Sequence, residues 1–461
     1  MDEIRSSHSK ISGTAGVLAG ALAGILSVAL AGTALAHRLV QQAERPLLEA
    51  THLPPLLTTR DEEIALRYDV YCALSEAEAD TPCSVEGEVF ARAGDTGAFQ
   101  EIAMRAERGA SDSRYVARLP QSIAGASAGF SYYAVFRSEG AGISTTTPAG
   151  GSAAPQRSRP LGRSIDVVLG AHSFGGQREA DARVAEAAWG SGTAEVGLEQ
   201  GRNLTPIGGS AFDVEEDGGV VVLDEANKRL LRWQRGAERP DLVPLEINGT
   251  LADMSIDKDG TVFVLETTGA HGKPLLRTFA PQGTSKATIA IAGRPSQVRV
   301  GPDGPVVLQS ASAQWMPAER EGQPVSVSGQ LSAGETGRPF SDGREIVILR
   351  NGDEVRVALV GDTGVRRSWV VQSGTPLAEV QLAEPHGTGV VLVTRVINDD
   401  RDEFVVLVLS RRGVVNRFSL DSADWAETAP LSRFRLQGSS LYQLGSTPAG
   451  LFVDRFDLEV E

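Results

Sequence analysis

Residues 212–224 read FDVEEDGGVVVLD, and a stretch that starts 42 positions later, residues 254–266, reads MSIDKDGTVFVLE. Each stretch consists of a short apolar segment, an acidic turn containing Asp-Gly, and a second apolar segment that ends in a carboxylate. Apolar segments on both sides of an Asp-Gly turn predict a β-hairpin. A hairpin that recurs at this period is typical of the blades of a β-propeller.

The hairpin pattern continues to the end of the chain. Residues 298–308 (VRVGPDGPVVL) are a third copy, and hairpins with less similarity follow at 346–359, 390–409 and 442–453. Residues 164–461 are therefore predicted to form one propeller. At about 42 to 49 residues per blade, this segment has room for six or seven blades, and the number of hairpins favours six.

A separate β domain is predicted before the propeller, so the expected fold class is all-β. Residues 61–148 contain short strand-like segments separated by turn signals such as Gly94-Asp95-Thr96-Gly97. About six or seven such strands predict an immunoglobulin-like or fibronectin-like sandwich. Residues 149–163 are rich in Gly, Pro and Ser, which predicts a linker.

Two segments at the start of the propeller carry predictions of their own. Residues 165–169 are an apolar strand, which we expect to pair with the last blade near Val460, because shared terminal segments leave no open sheet edge. Residues 179–188 are rich in Ala with Glu and Arg, which predicts a short surface helix.

The N-terminal segment 1–36 predicts export. Residues 11–36 are uncharged, follow Arg5 and Lys10, and end in Ala-Leu-Ala. This pattern is typical of a cleaved signal peptide, while its length also suits a hydrophobic helix retained as a membrane anchor. Residues 37–60 contain three prolines and predict an extended tether. The protein is thus expected to be exported, either extracellular or anchored in the membrane and facing outside.

Charge and cysteine content fit that location. A formal net charge of −15 argues against nucleic acid as a partner, because binding phosphates needs a basic surface, and no basic patch stands out in the sequence. Cys72 and Cys83 flank an acidic loop and are the only cysteines, which predicts a disulfide in an exported protein, or two free thiols in a cytosolic one. The preference for Arg over Lys, with abundant Ala and Gly, indicates a GC-rich bacterial genome.

The first repeat carries further detail. Residues 189–192 (WGSG) precede it, and residues 224–229 (DEANKR) end it. This resembles the NHL-repeat pattern, in which a strand ends in Asp and is followed by Asn and Arg. The resemblance implies a propeller fold and leaves the function open, since NHL-like propellers include protein-binding scaffolds and a few enzymes.

Asp224, Glu266 and His271 are the candidate binding residues. The two carboxylates end equivalent strands of adjacent blades, so both could face one mouth of the ring and hold Ca²⁺ together with backbone oxygens, as in lactonase-type propellers. Alternatively, Asp224 caps its own turn and pairs with Arg229. Enzymes of similar propellers use histidines, and His271 lies in a Gly-rich loop, whereas His172 and His386 lie elsewhere. No catalytic residue and no cofactor other than calcium is suggested.

These observations predict a noncatalytic binding protein, exported or in the cell envelope, whose propeller holds a protein or glycan partner. The basis is a large exported scaffold in which the sequence assembles no recognisable catalytic motif. Two alternatives stay open. One is a metal-dependent propeller enzyme, either a lactonase-like hydrolase or a lyase, and the other is a structural component of envelope assembly.

Overall fold

The computed structural model describes residues 47–59, 61–73, 84–107, 114–201, 205–247, 249–268, 273–310, 313–320, 323–324, 337–340, 342–361, 364–427 and 433–458. Regular structure in these residues is nearly all β-strand, and their helices are α1 (Gln121–Ala124) and a 3₁₀ turn (Gly151–Ala153). Neither helix has the length and apolar character needed to cross a membrane. The predicted signal peptide or anchor helix lies outside the described residues.

The chain divides into two compact units. Described residues of the smaller unit are 47–50, 70–73, 84–86 and 136–145. The larger unit holds residues 51–69, 87–135 and 146 onward, as far as they are described. Most N-terminal strands therefore share one compact unit with the sheets that follow them.

Two N-terminal sheets precede the repeats. Their strands are β1 (Leu47–His52), β2 (Leu57–Thr58), β3 (Ala65–Ala73), β4 (Glu86–Ala93), β5 (Gln100–Ala103), β6 (Arg105–Ala106), β7 (Arg114–Arg118), β8 (Phe130–Ser138), β9 (Ile143–Thr147) and β10 (Gln156–Pro160). One sheet has the order β1-β3-β7-β6 and the other the order β2-β10-β8-β4-β5, with β9 paired to β8. The sheets therefore include β1 and β2 from the segment predicted as a tether, and β10 from the predicted linker.

His52 connects the two N-terminal sheets. Its ring stacks on Tyr68 of the first sheet, with ring centroids 4.3 Å apart, and its Nε2 is hydrogen-bonded to the Tyr132 hydroxyl of the second sheet at 2.7 Å. Burial lowers the pKa of His52 to about 4, against the raising effect of the Arg67 backbone carbonyl. The imidazole is therefore neutral at pH 7 and acts as a structural bridge rather than as a charge.

The strands after Arg163 continue in chain order. They are β11 (Ile165–Val168), β12 (Ala182–Trp189), β13 (Glu195–Val196), β14 (Ala211–Val214), β15 (Val220–Asp224), β16 (Arg229–Trp233), β17 (Asp241–Pro244), β18 (Leu251–Ile256), β19 (Val262–Glu266), β20 (Leu275–Phe279), β21 (Ser285–Ala290), β22 (Pro295–Gly301), β23 (Gly304–Gln309), β24 (Gln314–Pro317), β25 (Glu319–Arg320), β26 (Gln323–Pro324), β27 (Arg338–Pro339), β28 (Glu345–Asn351), β29 (Glu354–Gly361), β30 (Gly364–Gln372), β31 (Leu377–His386), β32 (Gly389–Ile397), β33 (Asp402–Ser410), β34 (Gly413–Asp421), β35 (Phe434–Gln437), β36 (Ser440–Thr447) and β37 (Gly450–Asp457). All three predicted copies of the hairpin are present, as β14–β15, β18–β19 and β22–β23.

These strands form six sheets of three to five strands within the described residues, besides the two-stranded β25–β26. Sheet 1 contains β14–β17, sheet 2 contains β18–β21, sheet 3 contains β22–β24, and sheet 5 contains β31–β34. Sheet 4 contains β27–β30 with β11 at its edge, and sheet 6 contains β35–β37 with β12 and β13. Consecutive strands of each sheet from β14 to β37 pair antiparallel, as hairpins require.

Five pairs of successive sheets pack face to face through apolar side chains. Buried clusters join sheet 1 to sheet 2, sheet 2 to sheet 3, sheet 4 to sheet 5, sheet 5 to sheet 6, and sheet 6 back to sheet 1. In sheet 1, for example, Val221 and Leu223 contact the cluster shared with sheet 2, while Val220 and Val222 face sheet 6. A strand buried on both faces needs this run of valines and leucines. The clusters thus place the sheets side by side in the order 4-5-6-1-2-3, as in the blades of a β-propeller.

Strand β12 completes sheet 6. It pairs antiparallel with β37, with Ala185 opposite Val453 and Ala187 opposite Leu451. The expected helix over residues 179–188 is therefore wrong. Burial alternates along β12, so that Ala185 and Ala187 lie together on the buried face of an extended strand. The N-terminal part of the propeller segment does join the last sheet, as expected for closure, but through different residues.

The predicted partner of residues 165–169 is also wrong. β11 pairs parallel with β30 at the edge of sheet 4, with Ile165 opposite Trp369. The reason is that β12 already occupies the edge of β37 that a terminal strand would use.

Residues from the N-terminal sheets cover one face of sheet 4. Leu56, Leu57 and Leu161 form a buried cluster with Val347, Ala358, Val360 and Val370 of that sheet. The opposite face of sheet 4 packs against sheet 5. Polar contacts reinforce this junction, since the Arg356 guanidinium donates to the Leu57 carbonyl (3.0 Å) and to the Glu62 carboxylate (2.7 Å). The N-terminal segments thus bury a face that a neighbouring blade covers elsewhere in the ring.

Candidate functional site

Asp224 ends strand β15 and is fully buried. Its Oδ1 accepts hydrogen bonds from the backbone N–H groups of Gly197 (2.9 Å) and Asn227 (3.3 Å). Its Oδ2 accepts from the Asn227 amide and from Arg229 Nε, both at 2.8 Å. Arg229 also donates to backbone carbonyls in residues 191–195. The Asp-Asn-Arg pattern therefore clamps the segment before the first repeat onto sheet 1.

Glu266 occupies the equivalent position in sheet 2, at the end of β19, and is also fully buried. Its Oε1 accepts a hydrogen bond from Arg277 Nε, and its Oε2 is buried with no hydrogen-bond partner in the described part of the chain. The two carboxylates thus end equivalent strands, as the sequence indicates, and each is paired with an arginine of the next strand in its own sheet. As far as the structure describes the chain, both carboxylates are shielded from solvent.

The remaining candidate residues are separated or lie outside the described residues. His271 and Cys83 fall outside them, so a ligand role for this histidine and the Cys72–Cys83 disulfide stay predictions. His172 Nε2 bonds Glu403 Oε2 (2.8 Å) beside sheet 5, whereas His386 ends β31 at a hairpin turn. Within the described ranges, no group of three His, Cys, Asp or Glu residues is placed to hold a metal ion.

Replacing Asp224 by alanine is expected to lower the free energy of unfolding by about 3–5 kcal/mol. The substitution leaves the Arg229 guanidinium, whose side chain is 7% exposed, without its counter-charge, and it removes the acceptor of two backbone N–H groups. Urea denaturation measures the change, with Glu216→Ala at an exposed turn position as the control. A melting temperature of the native protein that falls with EDTA, and no longer does so in Asp224→Ala, would instead identify Asp224 as a metal ligand.

One charged side chain from the first strand of each of sheets 1 to 6 contributes to a central ionic cluster, which we call the central ring. Its members are Asp213, Asp253, Arg299, Arg338, Glu384 and Arg435. Arg435 lies 3.1 Å from Asp253 and 3.4 Å from Asp213, Arg299 also pairs with Asp253, and Arg338 lies 2.6 Å from Glu384. Three carboxylates thus balance three guanidinium groups where the first strands meet.

The central ring also fixes the sheets relative to one another. Asp213 accepts a hydrogen bond from the backbone N–H of Ile256 in sheet 2 (2.9 Å), and Asp253 accepts one from Val298 in sheet 3 (3.1 Å). Burial and the neighbouring Arg299 charge lower the pKa of Arg435, against the effect of the acidic groups. For Arg299, burial acts to lower the pKa, and the charges of the acidic groups, Asp253 first among them, outweigh it. The ring therefore has a structural role.

The turns between the first and second strands of the sheets form one surface, which we call the turn face. The Arg344 guanidinium of the sheet 4 turn donates to the Gly387 carbonyl of the sheet 5 turn (3.1 Å), so these two turns are neighbours. The turns of sheets 1 and 2 carry mainly acidic side chains: Glu215, Glu216, Asp217, Asp257 and Asp259. Sheets 4 and 5 present arginines at this end: Arg366, Arg367, Arg411 and Arg412, whereas Arg344 pairs with Asp342 of its own turn. The turn face is therefore acidic on one side and basic on the other.

A cleft of about 1090 Å³ lies at the basic side, between strand β10 and the turns of sheet 4. Five arginines and two acidic residues line it: Arg157, Arg159, Arg163, Arg366, Arg367, Asp95 and Glu345. Arg157 lies 3.2 Å from Asp95, and Arg159 lies 3.0 Å from Glu345. Arg163 and Arg366 are exposed and form no ion pair with any residue that the structure describes. We call this site the arginine cleft.

The arginine cleft corrects the expectation that the chain has no basic patch. Its arginines come from residues 157–163 and 366–367, which lie about two hundred positions apart in the sequence. Strand β10 brings the first group to sheet 4 because Leu161, next to it, is buried in the junction with that sheet. The basic surface thus results from tertiary packing, and no run of basic residues in the sequence predicts it.

Comparison with known proteins assigns neither a family nor a function to this chain. No protein-family model and no curated protein matches this chain. Similar solved structures are β-propeller proteins. Virginiamycin B lyase from Staphylococcus aureus is 9% identical, with 54% of this chain and 95% of that chain covered, at a TM-score of 0.34. BamB from Moraxella catarrhalis is 10% identical, covering 56% and 100%, at 0.30. YCF48, bound to a D1 peptide, is 11% identical, covering 63% and 97%, also at 0.30.

Proposed function

We propose that this chain is a noncatalytic binding protein of the cell envelope or the exterior, which holds an anionic protein or glycan in the arginine cleft. Each of the six sheets is one blade of a six-bladed propeller, and the N-terminal sheets form an immunoglobulin-like sandwich that supplies one wall of the cleft. The observation that carries the proposal is the concentration of five arginines around one cleft in a chain of net charge −15.

Electrostatics favours binding at this cleft. A guanidinium group without an acidic partner attracts an incoming anion strongly. In a paired guanidinium group, the neighbouring carboxylate neutralises most of this attraction. The acidic turns of sheets 1 and 2 repel the same anion. An anionic partner is therefore guided to the basic side and held in one orientation. Such electrostatic guidance increases the association rate more than it increases the affinity.

The noncatalytic assignment rests on how the candidate carboxylates are used. Asp224 already accepts four protein hydrogen bonds, and the charged groups of the central ring compensate one another. These groups stabilise the packing of the sheets. Glu266 pairs with Arg277 through Oε1, and its Oε2, which has no hydrogen-bond partner among the described residues, is buried away from solvent.

Charge reversal of Arg163 and Arg366 tests the proposal. We expect Arg163→Glu/Arg366→Glu to weaken binding of the native envelope partner by about tenfold or more, because each reversal replaces an attraction by a repulsion. Binding is measured as partner recovered by the purified, immobilised chain from envelope fractions of the source cells, at rising salt. Arg239→Glu, an exposed reversal in a turn of sheet 1, is the matched control. Equal recovery by both variants would contradict the proposal.

A further inference from the structure

One segment of the chain connects sheets 4, 5 and 6. Residues 169–181 run from β11 at the edge of sheet 4 to β12 in sheet 6, and we call them the strap. The backbone N–H groups of Leu169, Arg178 and Asp181 donate to carbonyls of sheet 4 (2.8 Å), sheet 5 (2.8 Å) and sheet 6 (2.9 Å), respectively. The strap therefore crosses sheet 5 before it leads into β12 at the outer edge of β37.

A buried carboxylate, that of Glu403 at the start of β33 in sheet 5, anchors the strap. Its Oε2 is hydrogen-bonded to His172 Nε2 (2.8 Å), and its Oε1 accepts from the Gly175 backbone N–H (2.5 Å) and from the Gln177 amide (2.8 Å). The side chains of Glu403 and His172 are each 3% exposed, and the His172 ring meets the Phe174 ring edge to face. Because a carboxylate shielded from water depends on such hydrogen bonds, Glu403 and this part of the strap hold one another in place.

Beyond the anchor, the strap packs less closely. A pocket of about 630 Å³ lies between residues 177–180 and sheets 5 and 6. The Arg178 guanidinium lies over the Phe418 ring, 4.8 Å from its centroid, and donates to the Asp181 carboxylate (2.6 Å) near the surface. Ion pairs close to solvent add little stability, so this part of the strap is held more weakly than the anchor.

Strand β12 also buries little apolar surface of its own. Its most deeply buried side chains are Ala185 and Ala187, each 3% exposed, and its larger Val184 and Trp189 are only partly buried. The neighbouring β37 contributes a fully buried leucine and a fully buried valine to the same cluster. Since the hydrophobic contribution grows with the apolar area buried, packing stabilises β12 less than it stabilises β37. Elements of this kind open locally before a protein unfolds as a whole.

We infer that β12 is a detachable strand, and that the Glu403 anchor determines how often it leaves sheet 6. Its departure leaves the outer edge of β37 without backbone hydrogen-bond partners, while the other sheets stay folded. This conformational change does not involve the arginine cleft and therefore goes beyond the proposed function.

The length of the strap gives the size of the anchor's effect. With Gln177 held by Glu403, only the four residues 178–181 separate the anchor from β12. Without the anchor, all 13 residues of the strap, 169–181, are free between β11 and β12. Because the entropic cost of closing a loop rises with its length, the anchor favours the pairing of β12 by about sixfold.

Hydrogen exchange of the full-length protein, followed by mass spectrometry, tests whether β12 opens by itself. We expect peptides that cover residues 182–189 to exchange at least about tenfold faster than peptides that cover β34. Strand β34 is the matched comparison, because it is the outermost strand of sheet 5. Exchange of β12 that is as slow as that of β34 would overturn the inference.

Glu403→Gln tests the anchor, because the amide keeps the shape of the side chain but presents an N–H group where Gly175 and Gln177 already point their own N–H groups. We expect exchange of residues 182–189 to rise about sixfold, with exchange of sheet 1 unchanged. Glu179→Gln is the matched control, since Glu179 is exposed in the same strap, and it should alter neither rate.

A milder variant keeps the test independent of whether Glu403→Gln folds. Gln177→Ala removes one of the three hydrogen bonds to Glu403 and should raise exchange of residues 182–189 in the same direction by a smaller factor. Thermal melting checks that each variant is folded. Unchanged exchange of residues 182–189 in the folded variants, or an equal rise in every sheet, would overturn the inference.

Discussion

A chain lacking residues 1–163 is expected not to form a stable propeller, although all six sheets that follow remain in its sequence. Its sheet 4 would expose Val347, Ala358, Val360 and Val370, which are buried against Leu56, Leu57 and Leu161 in the intact chain. Loss of β10 and its surroundings would also leave Arg356 without Glu62. An exposed apolar face of a sheet favours aggregation, so the truncated protein should be recovered mainly as insoluble material.

A single substitution tests the same junction in a chain that still folds. We expect Leu57→Ala to lower the free energy of unfolding by about 2–5 kcal/mol, the usual cost of such a truncation in a packed core. Leu57 is fully buried, whereas Leu53 in the same segment is 83% exposed. Leu53→Ala is therefore the matched control and should change stability by less than about 0.5 kcal/mol. Equal stability of the two variants in urea, or a soluble and cooperatively folding truncated chain, would show that the junction is dispensable.

Replacing Asp253 by asparagine is expected to destabilise the protein by about 3–5 kcal/mol. Asp253 is fully buried and is the shared counter-charge of Arg299 and Arg435, whose side chains are 7% and 5% exposed. Without it, the two guanidinium groups repel each other in a poorly solvated space. Asparagine keeps the shape of the side chain, so the change reports charge rather than packing.

A double-mutant cycle isolates this charge effect. Arg435→Met removes one of the two cations, so Asp253→Asn/Arg435→Met should be less destabilised than the sum of the single variants, with a coupling energy of about 1–3 kcal/mol. Unfolding in urea measures all three, and Asp303→Asn at an exposed turn of sheet 3 is the control. Strictly additive effects would mean that Asp253 and Arg435 interact too weakly to organise the central ring.

The local hairpins were predictable because each depends on neighbours in the sequence. The Asp-Gly turns and the apolar strands beside them appear where the repeats place them, in β14–β15, β18–β19 and β22–β23. The pairing of Asp224 with Arg229 was also predictable from the sequence, since only four residues separate them. In contrast, β12 was misinterpreted as a helix, because its alanines favour helix intrinsically and only the partner strand β37 makes the extended form more stable.

Long-range features were missed for a different reason. Ring closure by residues 182–189, burial of sheet 4 by Leu56 and Leu57, and the central ring each join residues that are more than a hundred positions apart. Such contacts leave no periodic signal in either segment taken alone. The arginines at 157–163 and 366–367 illustrate this, because each group is short and ordinary, and only their meeting at one cleft gives the site its charge.

The sequence by itself determined the building unit: a hairpin of apolar strands around an acidic turn, repeated often enough to require a ring of sheets. Short-range turn chemistry and strand alternation are sufficient for that conclusion. Tertiary structure alone decided which strand closes the ring, which segments cover sheet 4, and where the basic surface lies, because these depend on the relative positions of distant segments. Residues 212–224, where the repeat was first apparent, contribute two structural carboxylates, Asp213 in the central ring and Asp224 in the Asp-Asn-Arg clamp. The surface proposed for binding lies instead between β10 and the turns of sheet 4.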